Sequence, residues 1–125
     1  MSEKESVVLD SEEVKFEKVE RGEEIWIQRL ITDEEGAGNC FMRKFTLKPG
    51  AFMPLHSHED TDHVQYVLSG KMKVKLGDKI EEVEKGDVLY IPSDLPHSYE
   101  NSYEESIKFL CIVPAGEITT EMEEE

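Results

Sequence analysis

The sequence predicts an all-β chain folded as one barrel or sandwich, and three observations carry that reading. Short runs rich in β-branched and aromatic residues recur at near-regular spacing, Gly, Pro, Asp or Asn bounds each run, and no long stretch shows an apolar period of 3.6 residues. A length of 125 residues supplies a single core and therefore one domain.

Taken in order, Ile25 to Ile31 and Phe41 to Leu47 are the first two runs. Pro49-Gly50 opens a turn, after which Ala51 to His58 runs extended. The loop Glu59-Asp60-Thr61-Asp62 separates it from Val64 to Leu68, with His63 at the start of that strand. The clearest strand is Lys71 to Leu76, where three lysines alternate with Met72, Val74 and Leu76, so one face is wet and the other buried. Gly77-Asp78 is a two-residue hairpin signal, glycine supplying the positive φ, and Lys79 to Glu84 returns antiparallel. Gly86-Asp87 marks a further turn before Val88 to Ile91, which Pro92 terminates. The turn-rich Pro92 to Pro96 leads His97 into a separate strand, and Ile107 to Val113 closes the series.

The ends differ from this middle. Residues 1–13 form an acidic N-terminus and residues 117–125 an acidic tail, both poor in large apolar groups and expected to be frayed or solvated, which leaves 14–116 as the barrel domain. Glu121, Glu123, Glu124 and Glu125 read as a solubilising tail. Val14 to Val19 reads either as an edge strand or as a strand exchanged between two subunits.

Charge excludes several classes of partner. Twenty-nine acidic against 14 basic residues leave a net charge of -15, the opposite of what a phosphate backbone or an anionic membrane attracts. No signal peptide or run of about 18 apolar residues is visible, so the expectation is a soluble, cytoplasmic protein. Cys40 and Cys111 are too few for a disulfide framework and are expected to be free thiols.

All four histidines, His56, His58, His63 and His97, fall in the middle of the chain. Residues two apart on a strand share a face, so His56 and His58 aim both rings one way. Two antiparallel strands joined by a short loop then bring His63 beside them, and a third strand adds His97. Neutral imidazole is the commonest metal ligand, which makes the convergence a candidate metal site.

At these residues the chain resembles the cupin superfamily. The family's first motif is matched by Gly50, His56-Ser57-His58, His63 and Gly70, and its second by Gly86, Pro92, Asp94, His97 and Asn101, so the resemblance spans residues 50–101 directly. His63 stands where the family usually has a glutamate ligand and Asp94 where it usually has glycine. With a loop one residue shorter, Asp62 would take the ligand place instead of His63.

The resemblance implies a double-stranded β-helix, or jelly-roll, fold, a homodimer, and one divalent metal held by His56, His58, His63 and His97. An all-histidine set suits Mn, Fe, Co, Ni, Cu or Zn rather than Mg or Ca. Four protein ligands on a six-coordinate metal leave two positions for water, dioxygen or a chelating substrate. Period-2 alternation places Gln65 with His63, Tyr99 with His97, and Phe109 with Cys111 on inward faces, where they are candidates for substrate contact or barrel lining. Trp26 and Arg43 are within reach of the barrel mouth, but a surface role is expected for Arg43 and a core or interface role for Trp26, whose run, Ile25 to Ile31, offers more apolar surface than one small barrel needs.

No general base is visible beyond the ligands. The expected function is therefore a small metalloenzyme of dioxygenase type, an oxidoreductase working through metal coordination of a compact oxygenated molecule. The alternatives are a metal-dependent isomerase and a non-catalytic small-molecule or metal binder or sensor.

Overall fold

The computed structural model describes residues 5–116 and 118–123, so residues 1–4, Glu117, Glu124 and Glu125 of the acidic ends lie outside the described residues. Ten strands follow one another: β1 (Glu17–Lys18), β2 (Glu23–Ile31), β3 (Cys40–Glu59), β4 (His63–Ser69), β5 (Lys71–Leu76), β6 (Lys79–Glu84), β7 (Val88–Ile91), β8 (His97–Glu100), β9 (Ile107–Pro114) and β10 (Thr119–Met122). All the pairings are antiparallel, and the hydrogen-bonded order β6-β5-β8-β3-β9-β4-β7 curls into a jelly-roll barrel, with β2 and β10 also on β3 and β1 on β2.

The alternation read from the sequence places the side chains. In β5, Met72 and Val74 are fully buried while Lys71 and Lys73 are exposed opposite Glu84 and Glu82, pairs of opposite charge across the ladder. In β9, Phe109, Cys111 and Val113 face the core and Lys108, Leu110 and Ile112 face outward. Gly77 has a φ of 61°, as its two-residue turn demands. Gly70 is tighter still: its φ is 79°, and a Cβ there would lie 2.4 Å from the Ser106 carbonyl oxygen.

Pro49-Gly50 does not separate two strands as expected. β3 runs through it, and Gly50, at a φ of 86°, bends the strand. Before the bend β3 pairs with β9, from Cys40 to Leu47; after it β3 pairs with β8, from Phe52 to His56. The bend carries one strand round the corner of the barrel, and Asn101 pins it there. Its amide is fully buried, with Nδ2 donating to the carbonyls of Leu47 (3.0 Å) and Glu105 (2.9 Å) and Oδ1 accepting from the Tyr103 N–H (3.0 Å). Asn101→Ala is expected to cost about 2 kcal/mol, because it strands buried backbone groups, while leaving metal content unchanged. Urea unfolding and elemental analysis of the same sample check both halves.

The ends are more structured than their composition suggests. Ser11–Glu13 forms a 3-10 turn capped by Asp10, and Gln28 Nε2 donates to the carbonyls of Ser11 (2.7 Å) and Val14 (2.9 Å). Lys44, 5% exposed, donates to Ser11 Oγ at 3.4 Å and pairs with Glu12. Within Val14 to Val19, Glu17–Lys18 is a short edge strand on β2 of the same chain. The tail supplies β10, whose hydrogen bonds with β3 outweigh its polar composition. The apolar surplus of Ile25 to Ile31 is taken up within the chain: Ile25 and Ile27 enter the core, and Leu30 is buried beside the N-terminal segment. A different patch stays exposed, Val64 and Tyr66 on β4 beside Tyr90 and Val88 on β7. Cys40 is exposed, Cys111 buried, and both are free. Among the described residues no helix is long and apolar enough to cross a membrane.

Candidate metal centre

Three strands deliver the histidines. His56 and His58 lie two apart on β3, His56 opposite His97 of β8 and His58 opposite Thr120 of β10, while His63 opens β4. The ring centroid of His97 is 4.2 Å from that of His56, 5.3 Å from that of His58 and 5.8 Å from that of His63. One ring nitrogen from each of His56, His58 and His97 falls within a span of 4.8 Å. His63 stands outside that trio, stacked on His58 at 4.6 Å between centroids.

Hydrogen bonds select the nitrogen that faces inward. Nδ1 of His56 lies 2.8 Å from the Pro54 carbonyl, and Nδ1 of His97 lies 2.8 Å from the Leu95 carbonyl. A carbonyl only accepts, so both Nδ1 atoms carry the proton and both Nε2 atoms keep a lone pair. Nδ1 of His58 lies 3.3 Å from the Thr119 carbonyl and 3.2 Å from Thr120 Oγ1, so the tail strand orients this ring. Nδ1 of His63 lies 3.3 Å from Cys111 Sγ. Nε2 of His63 and of His97 are buried without a hydrogen-bond partner, an arrangement that native structures rarely leave unused.

Burial keeps the rings neutral. Desolvation, reinforced by His97, holds His56 down at about 3 and His58 at about 4; desolvation and His58 hold His63 at about 2. His97 is lowered as well, by burial first. Neutral imidazoles with inward lone pairs, two of them buried and unpartnered, are the donor set a divalent transition metal requires.

The chamber around the rings is lined also by Arg21, Ile25, Arg43, Met53, Gln65 and Tyr99. Gln65 Nε2 donates to Tyr99 Oη at 2.8 Å and to Cys111 Sγ at 3.6 Å. Burial raises the Tyr99 phenol. Phe109 lines the wall and stacks on Phe45 at 5.3 Å. No carboxylate lines the chamber among the described residues. Asp62, the alternative to His63, is exposed and accepts from the Ser93 N–H at 2.8 Å; β3 runs on to Glu59, and β4 opens at His63, whose ring is buried while the Asp62 carboxylate points outward. Asp94, in place of the usual glycine, adopts a φ of 68°, and its N–H donates to the His58 carbonyl at 2.9 Å.

The chamber holds two residues beyond the expected set. Arg43 is half-buried and lines the chamber at its mouth, the alternative to the surface role expected of it; its place between Phe41 and Phe45 on an alternating strand is the signal for that. Arg21 sits between β1 and β2, in a turn with no local pattern to mark it. Trp26 is half-buried, away from the chamber, with the Lys48 ammonium 5.4 Å over its ring.

Comparison with known proteins places this geometry. The Cupin_2 cupin domain model matches residues 43–113. Oxalate decarboxylase OxdC of Bacillus subtilis is 32% identical over 107 residues, 82% of this chain and 26% of that protein. The oxalate-binding protein of Thermotoga maritima is 29% identical over 119 residues, 90% of this chain and 98% of that protein. The solved structure of the polyketide cyclase RemF from Streptomyces resistomycificus superposes with a TM-score of 0.86 at 28% identity, covering 97% of this chain and 89% of that one. The chain spans less than half the length of several curated relatives, 26% of OxdC and 46% of another matched over 57 residues.

Proposed function

Since this chain belongs to the cupin domain family, we propose that it is a mononuclear metal-binding member acting on a compact oxygenated small molecule. His56, His58, His63 and His97 would hold one divalent ion among Mn, Fe, Co, Ni, Cu and Zn. The observation that carries the reading is the cluster of three imidazole nitrogens within 4.8 Å, His56 and His97 each tied by Nδ1 to a backbone carbonyl. When bound, the ion supplies Lewis acidity and, for redox-active metals, electron transfer. The chain's own residues orient and exclude. Pro54, Leu95 and Thr119 fix three rings through their carbonyls, and Cys111 contacts the fourth. Ile25, Phe45, Leu47, Met53 and Phe109 keep the chamber apolar around them.

Without a carboxylate in the chamber among the described residues, and with Tyr99 shifted away from deprotonation, proton abstraction by a side chain is poorly served. This favours chemistry driven by metal coordination, of dioxygenase type, over an isomerase that needs a positioned base. The same lack supports a second reading, a binder without turnover, to which the likeness to an oxalate-binding protein also points. Elemental analysis of freshly purified protein comes first, and a metal-free preparation would sink the proposal. Each metal is then loaded in turn, with oxygen uptake and product followed over dicarbonyl, catechol-like and sugar-phosphate panels. Binding without turnover under every metal would leave the binder.

His63→Glu is expected to shift the metal ranking toward Mn and away from Cu and Zn, because a carboxylate is the harder ligand. Competition between metals, read by elemental analysis, checks this, and an unchanged ranking would remove His63 from the ligand set. A cytoplasmic location and a homodimer belong to the same proposal. The exposed apolar residues of β4 and β7 are consistent with a covering partner, and sedimentation decides the state.

A further inference from the structure

We propose that Arg21 and Arg43 form an anion subsite at the neck of the histidine chamber, and that the ligand is a compact carboxylate whose negative end they hold. The inference rests on the metal-site reading for the far end of that ligand and on independent observations for the near end.

The two arginines occupy a junction. The chamber has a volume of about 20 Å³, room for one water. Beyond it lies a mouth of about 830 Å³, and the residues common to both are Arg21, Arg43 and His58. Both guanidinium groups and one of the histidines thus border the chamber and the mouth alike.

Neither guanidinium has a carboxylate partner among the described residues, where the ion pairs are Arg29 with Glu17 and Lys44 with Glu12. For Arg43, half-buried with its Nε out of water, a charge without a counter-ion is costly, and that cost persists until an anion arrives.

Arg43 is also oriented in advance. Its Nη2 donates to Cys111 Sγ at 3.3 Å, its guanidinium carbon lies 5.3 Å over the Phe45 ring, and its Nε is buried with no partner. A planar fork held on one face and along one edge has its remaining N–H groups free for a planar, bidentate acceptor. The neck is thus a local positive potential in a molecule of net charge -15, which concentrates small anions.

Size and rim narrow the class. The chamber takes one water-sized group, and the mouth is lined by Glu17, Asp33, Glu34 and Glu35 against Lys15 and Arg29, a rim that is acidic on balance. These carboxylates repel polyphosphates and long polyanions. A small carboxylate with a second oxygen-bearing group, a dicarboxylate or a 2-oxo acid, spans from the guanidinium pair toward the rings.

The test is calorimetric titration of the full chain, metal-loaded and metal-free, with oxalate, pyruvate, inorganic phosphate and the neutral isostere oxamide. The proteins are wild type, Arg21→Gln, Arg43→Gln, the double variant and Arg43→Lys, each with its metal content measured. Each glutamine is expected to weaken oxalate and pyruvate binding about tenfold and the pair about a hundredfold, with metal content unchanged. Arg43→Lys falls between, and oxamide does not bind. An unchanged affinity in the double variant, oxamide binding like oxalate, or phosphate binding more tightly than either carboxylate would each overturn the subsite. If Arg43→Gln fails to fold, the exposed Arg21 decides through its own variant. A wild-type protein that holds no metal yet binds oxalate through the arginines removes the metal reading and keeps the subsite; metal held with carboxylates indifferent to the arginines does the reverse.

Discussion

His97→Ala is expected to lower metal affinity by about a hundredfold or more, enough to empty the site at micromolar protein. Loss of a residue that merely orients a ligand already costs roughly 10- to 100-fold in typical sites, and His97 would be a ligand itself. It is also the centre of the cluster, its ring within 5.8 Å of each of the other three and its Nε2 buried without a partner. Removing it leaves the remaining rings without the neighbour that completes the trio around the common point. Titration with metal, followed by elemental analysis after gel filtration, reads the loss. Val64→Ala, on the exposed face of β4, is the control for handling and should keep wild-type occupancy. Stoichiometric metal in the His97→Ala protein would remove His97 from the ligand set.

Metal-free protein is expected to lose stability steeply as the pH falls from 6.5 toward 4. The imidazoles of His56, His58 and His63 titrate at about 3, 4 and 2 when folded, burial being the main cause, against 6.5 when solvated. Folded-state values below the unfolded ones mean that the unfolded chain binds more protons, so acid favours unfolding. Near pH 5 the unfolded chain holds close to three extra protons on these residues, and stability falls by up to about 4 kcal/mol per pH unit. Acid also relieves the self-repulsion of a chain at net charge -15, an effect of opposite sign. Urea midpoints at pH 7, 6 and 5 for wild type and for a His56→Gln, His63→Gln double variant separate the two. The variant loses the contributions of His56 and His63 and keeps those of His58 and His97, so its histidine slope should fall by about half. Equal slopes would mean that the rings protonate without unfolding the chamber.

These expectations trace back unequally to the sequence. The faces were legible: His56 with His58, Gln65 with His63, Tyr99 with His97 and Cys111 with Phe109 all follow from period-2 alternation, because side-chain direction on a strand is a local property. The same rule applied to Phe41, Arg43 and Phe45 places Arg43 inside. Its charge argues the other way, and here the strand period prevails over the usual preference of charge for water.

The continuity of β3 through Pro49-Gly50 was not legible, since the same two residues end a strand or bend one according to which partners lie beyond them. The strand in the tail was hidden for a similar reason: Thr119 to Met122 has little apolar content, and its ladder bonds to residues 56–59 depend on a neighbour about 60 positions away.

By itself, then, the sequence determined the class of fold, the turns that need glycine, and the histidines that share a face, all consequences of short-range stereochemistry. Only the tertiary structure decided that His56, His58 and His97 converge within 4.8 Å with His63 set to one side against Cys111. It also brought Arg21, from a turn before β2, to the chamber, and Thr119, from the tail, to the ring of His58. The reason is physical: convergence depends on how the sheet curls and which strands pair, and both are set by packing between segments far apart in the chain.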